Sequence, residues 1–171
     1  QVVLETSGAE RVHLSLADGP GADDLRVWDL NTETHVDLRG GNDAVTVGDS
    51  RPGADSTLQD MQAALVLDGA AGVNGLVIDN RANALSGVPG IVDASSISGF
   101  AMAADARIDY TGFTSLEIDL ADTDDDVTIL DTAIDTTINA DASSDGGEDR
   151  LRVEGSTAGA KINLGGGGDD V

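Results

Sequence analysis

Apolar and polar residues alternate in short runs along this chain, and the runs come in pairs. Each pair is an alternating strand, a turn rich in Asp, Asn or Gly, and a second alternating strand. The unit reads VHLSLADGPGADDLRVWDL from Val12, THVDLRGGNDAVTVGD from Thr34 and ALVLDGAAGVNGLVIDN from Ala64. It returns as LEIDLADTDDDVTILD from Leu116, TINADASSDGGEDRLRVEG from Thr137 and KINLGGGGDDV from Lys161. Alternation of period two predicts half-buried strands. Repeated copies of one supersecondary unit predict a fold in which each unit buries its apolar face on its neighbours.

Aligned on Leu16, Leu38, Leu67, Leu120, Ala140 and Leu164, the position two before is apolar throughout: Leu14, Val36, Leu65, Ile118, Ile138 and Ile162. These six are expected to form one inward ladder. The spacings are 22, 29, 53, 20 and 24 residues, and the doubled one predicts a further coil within residues 79–115. Two stretches break the rhythm. In residues 50–63, Pro52-Gly53 precedes a helical turn capped by Ser56; residues 79–99 read as irregular coil. The expectation is an all-β fold, a right-handed parallel β-solenoid of about 7–8 coils, with short irregular insertions near 50–63 and 79–99. The whole of residues 1–171 is taken as a single domain. The chain opens on second-strand material and stops within a copy. This leads to the expectation of one period of a tandem array, or of a subunit stacking on itself head to tail.

The turns carry the candidate chemistry. Asp23, Asp24, Asn42, Asp43, Asp122, Asp124, Asp126, Asp145, Asp149, Asp169 and Asp170 place oxygen donors in successive turns. Glycines beside them permit close backbone approach. Stacked turns would bring carboxylates and carbonyls together as Ca²⁺ requires, at 6–8 oxygens and roughly 2.3–2.6 Å; Mg²⁺ demands tighter octahedral geometry. Of these, Asp43, Asp126, Asp149 and Asp170, the final acids before each second strand, are the first choice as ligands. Asp, Asn and Gly are also ordinary turn formers, so what points to calcium is the recurrence.

Charge sharpens this picture. The chain holds 32 acidic against 9 basic residues, a net −23, and Lys161 is its one lysine. Self-repulsion on that scale opposes compaction unless cations offset it. With no basic patch, nucleic acid is excluded as a partner, and no apolar run reaches the ~20 residues of a membrane span. There is no cysteine, hence no disulfide or thiolate metal site. Aromatic residues are 2% of the chain, so Val, Ile, Leu and Ala must fill the core.

LRGGNDAVTV and NLGGGGDDV resemble the haemolysin-type (RTX) calcium-binding repeats, although each motif stands alone in its coil. STLQDMQAALVLDGAAGVNGLVIDN and SSISGFAMAADARIDYTGFTSLEIDLADTDDDVTI, with GEDRLRVEGS and INLGGGGDDV, are similar to giant secreted bacterial proteins carrying such isolated motifs. The resemblance implies an extracellular or cell-surface, calcium-binding structural or adhesive solenoid. It implies no enzymatic reaction. Apart from the resemblance, the expected partners are the chain itself, stacking or continuing head to tail, and surface glycans. Ala71-Gly-Val-Asn-Gly75 lacks the acidic position, which weakens a site in that turn.

The alternative reading is a carbohydrate-binding or polysaccharide-degrading β-helix, but Arg81, Arg107 and Lys161 are too scattered for a lyase groove. No nucleophile elbow, zinc-protease motif or phosphate loop is present. His13 and His35 share one outward column and are read as a solvent-facing ladder. Trp28 is expected to alternate outward after Val27, and Phe100, Tyr110 and Phe113 to cap coil ends or lie beneath loops.

Overall fold

The computed structural model describes residues 2–6, 11–16, 19–48, 57–140 and 147–171, with backbone alone for 2–6. The Asp145 turn, Pro52-Gly53 and the Ser56 cap lie outside the described residues. The protein is all-β, with fifteen strands and no α-helix among the described residues.

The strands alternate between two sheets. Sheet I holds β1 (Val2–Thr6), β3 (Asp24–Leu30), β5 (Ala44–Val47), β7 (Gly75–Asp79), β11 (Ser115–Asp119), β13 (Asp135–Asn139) and β15 (Ala160–Asn163), paired in that order. All its pairings are parallel. Sheet II holds β2 (Val12–Ser15), β4 (Thr34–Asp37), β6 (Leu65–Asp68), β8 (Val88–Asp93), β9 (Ser96–Gly99), β10 (Arg107–Thr111), β12 (Asp125–Ile129) and β14 (Arg150–Val153). Its spatial order is β2-β4-β6-β10-β9-β8-β12-β14. It is parallel except at β8-β9-β10, an antiparallel meander.

The meander corrects two expectations. Residues 79–99 are irregular only in part: 80–87 lie outside any strand, but the stretch also contains the end of β7, all of β8, which includes the strand signal at Ile91-Val92, and all of β9. Nor does the 79–115 stretch hold one more parallel coil. The chain spends three strands within sheet II before returning to sheet I at β11. By contrast, the expected turn after residue 56 is seen in part, closed by Met61 N–H donating to the Leu58 carbonyl at 3.0 Å.

The inward columns run through both sheets. In sheet I, Val27, Val47, Ile78, Ile118, Ile138 and Ile162 stand side by side. In sheet II, Leu65, Ile108, Ile97, Val92 and Ile129 continue one column straight through the meander. The expected single ladder is therefore two: Leu14, Val36 and Leu65 lie in sheet II, whereas Ile118, Ile138 and Ile162 lie in sheet I. Within the first set the register also differs. Val36 pairs with Leu67, and Leu65 with Thr34.

Branched aliphatic residues fill the space between the sheets, and most are wholly buried. Three of the four aromatic residues, Phe100, Tyr110 and Phe113, lie in or beside the meander. Phe100 lies over Gly90, where a Cβ would meet its ring at 2.2 Å. Tyr110 stacks edge-on to Phe113 at 6.3 Å and donates its hydroxyl to the Asp93 carbonyl. Trp28 sits at a bulge: Leu4 pairs with Val27 but Glu5 with Asp29. The extra residue resets the alternation, so Leu30 returns to the core. At the ends of the stack, Leu14, Leu16, Ile162 and Leu164 are only partly buried against the core.

Candidate metal centre in the turn stacks

Connections from sheet II to sheet I emerge at one edge of the sheet pair, and those from sheet I to sheet II at the other. The turns of the first three copies all run from sheet II to sheet I. The meander takes up one whole visit to sheet II, so the fourth copy begins in sheet I instead. The turns of the last three copies therefore lie at the opposite edge. The candidate ligands do not form one row but two: Asp23, Asp24, Asn42 and Asp43 at the first edge, and Asp122, Asp124, Asp126, Asp149, Asp169 and Asp170 at the second.

Each turn is stitched to the next by its side chains. At the first edge Asp23 N–H donates to Asp43 Oδ1 at 2.9 Å, and Asp43 N–H to Asn74 Oδ1 at 2.9 Å. Val73 N–H returns to Asn42 Oδ1 at 2.9 Å. The second edge repeats the pattern. Asp125 N–H donates to Asp149 Oδ1 at 3.0 Å, Asp149 N–H to Asp169 Oδ1 at 3.3 Å, and Glu148 N–H to Asp124 Oδ1 at 3.0 Å. Side-chain acceptors here replace the ladder bonds that the backbone loses at each turn.

Parity sets which acid turns inward. Asp23, Asp43, Asn74, Asp125, Asp149 and Asp169 each stand two residues before an apolar residue: Leu25, Val45, Leu76, Val127, Leu151 and Val171. Asp43, Asn74, Asp125 and Asp149 are buried. Asp126 and Asp170, chosen first from the sequence, lie one residue beyond this column. Asp126 faces away from the core, beside Pro89 and Arg150, and Asp170 is exposed. Asp125, absent from the first set, takes the inward position. Asp24 lies 3.6 Å from Arg26 in an ion pair, and Asp122 is exposed.

Asn74 closes its layer without charge. Its Nδ2 donates to the carbonyls of Gly69 at 2.6 Å and Gly112 at 2.9 Å. The aspartates have no such donors. The Oδ2 atoms of Asp43 and Asp125 are buried and make no hydrogen bond. A buried anionic oxygen without a partner is costly, and a bound cation would relieve it. Among the described residues, no three His, Cys, Asp or Glu side chains converge as a closed metal site.

Burial, with Asp149 and then Asp124 adding negative charge, pushes the Asp125 carboxyl from 3.8 up to about 7. The folded chain therefore holds a proton there that the unfolded chain releases between those values. Stability of cation-free protein is then highest below the unfolded value and falls as pH rises toward about 7. In EGTA, the melting temperature should climb on acidification from about pH 8 to about pH 5, and Asp125→Asn should flatten that climb. A melting temperature that falls over this range in both proteins would contradict the geometry.

No family model, curated protein or solved structure matches this chain.

Proposed function

We propose that this chain is a segment of an extracellular structural β-solenoid, calcium-stabilised at its turns, that extends along its axis into a fibre or adhesin stalk. The observation that carries this reading is the stitching of successive turns around buried carboxylates. Among the described residues, the turns of each row donate backbone N–H groups to side-chain acceptors of the neighbouring turn, and two of the carboxylate oxygens inside the stack lack a partner. A net charge of −23 makes cations the natural complement. A right-handed winding is proposed from the strong chiral preference of crossovers between parallel strands.

The half-covered Leu14, Leu16, Ile162 and Leu164 support axial continuation, because a further coil would finish burying them. The outer strands also leave ladder groups for pairing. That coil would come from the same polypeptide or from a second copy, with charge keeping separate fibres apart. Negative-stain electron microscopy of the chain in excess Ca²⁺ tests this. Rods that lengthen with protein concentration are expected. Compact single particles without axial contacts would overturn the reading.

A further inference from the structure

A pair of histidines lies away from the turns, on the outer face of sheet II. His13 and His35 pair in register on β2 and β4, with ring centroids 6.4 Å apart and planes inclined by 27°. They line a half-open groove of about 260 Å³ with Asp37, Val66, Asp68 and Thr111. His35 Nε2 lies 2.8 Å from Glu33 Oε1, which also accepts from Arg11 at 2.8 Å. A carboxylate acceptor fixes the proton on Nε2 and leaves the lone pair on Nδ1. His13 Nε2 lies 3.3 Å from Ser15 Oγ, a contact that either ring tautomer can make, so Nδ1 is open to a ligand in the Nε2–H form.

We propose that this groove binds one borderline divalent transition-metal ion, of the Zn²⁺ or Cu²⁺ class, chelated by Nδ1 of His13 and His35. Imidazole suits these ions, whereas Ca²⁺ takes oxygen ligands. A carboxylate on the far nitrogen is the usual support of a ligating histidine, because it holds the tautomer and raises ligand basicity. Glu33 supplies that support to His35. The two Nδ1 atoms must come to roughly 3.3 Å for metal–nitrogen bonds near 2.0–2.1 Å. His13 is exposed and His35 half-buried, so side-chain rotation can supply this movement. Asp37 lines the same groove but its carboxylate is engaged by Arg39, through the backbone N–H at 3.0 Å and the side chain at 3.6 Å, so water completes the sphere. This site does not depend on the calcium reading, since its ligands and ion class differ.

Calorimetric titration of Zn²⁺ into the chain, with Ca²⁺ in excess so that oxygen-only sites are filled, tests the proposal. One ion per chain is expected, with affinity falling on acidification because protons compete for the same nitrogens. His13→Ala and His35→Ala should each weaken binding at least tenfold, and the double variant little further, because either loss breaks the chelate. Cu²⁺ electron paramagnetic resonance should show two imidazole nitrogens on one ion. Both side chains face solvent, so unchanged melting curves will confirm that the variants fold. Zn²⁺ affinity indifferent to both substitutions, or Cu²⁺ bound by a single nitrogen, would overturn the proposal.

Discussion

Gly72→Ala is expected to destabilise the protein by more than ~4 kcal/mol, beyond the range of ordinary substitutions. Gly72 has φ +141°, and a Cβ built on it would stand 1.5 Å from the Gly41 carbonyl oxygen and 2.8 Å from its carbon. Gly41 makes the same approach one turn earlier, where a Cβ would meet the Gly21 oxygen at 2.1 Å. The obstacle in each case is backbone, which no rotamer change can move aside. Relief would require separating the two turns, and the Asp43–Asn74 and Asn42–Val73 bonds would go with them. At the opposite edge Gly167 approaches the Gly147 oxygen in the same manner. Gly87→Ala is the control. Gly87 also has positive φ, +67°, but nothing stands within 4 Å of its Cβ direction. It should cost only the conformational penalty of roughly 1–2 kcal/mol. Urea midpoints of the two variants should differ widely. Equal midpoints would show that the turns do not stack this closely.

The strands and turns were legible in the sequence because period-two alternation names the faces of a strand directly. The sheet each strand joins was not legible. LEIDL reads like VHLSL or THVDL, yet β11 lies in sheet I while β2 and β4 lie in sheet II. A strand's own residues encode inside and outside, not which of two equivalent sheets receives it. That choice was made by the meander, which the Asn, Gly and Pro residues of 79–99 concealed. The pairing of Val36 with Leu67 rather than Leu65 was hidden for a related reason. A two-residue slip keeps every side chain on its own face, so alternation cannot detect it.

The inward acids could have been found. Counting back two residues from Val127 gives Asp125, and from Val171 gives Asp169, as it gives Asp43 from Val45. Runs such as Asp124-Asp-Asp126 and Asp169-Asp170 drew attention to the last acid instead. The His13–His35 column was legible, but the Glu33 contact and the groove shared with Asp37 and Asp68 appear only once the strands are placed.

Calcium should raise the melting temperature strongly. The Asp43 and Asp125 oxygens lie in separate rows, so under the proposed calcium binding one ion in each row would contribute independently. An ion bound only by the folded state at a hundred times its dissociation constant adds ~2.7 kcal/mol. Two such ions correspond to a shift on the order of 10–20 °C for a chain of this size. Calcium also reverses the pH response: with the carboxylates held ionised by the metal, acidification should lower the melting temperature rather than raise it. Asp43→Asn and Asp125→Asn should each remove part of the gain and raise the stability of cation-free protein. The most direct measurement is a pair of thermal melts of the chain at about pH 8, one in excess Ca²⁺ and one in excess EGTA, with Mg²⁺ as control. A large upward shift with Ca²⁺ and a small one with Mg²⁺ are expected; superimposable curves in Ca²⁺ and EGTA would contradict calcium binding at the turns.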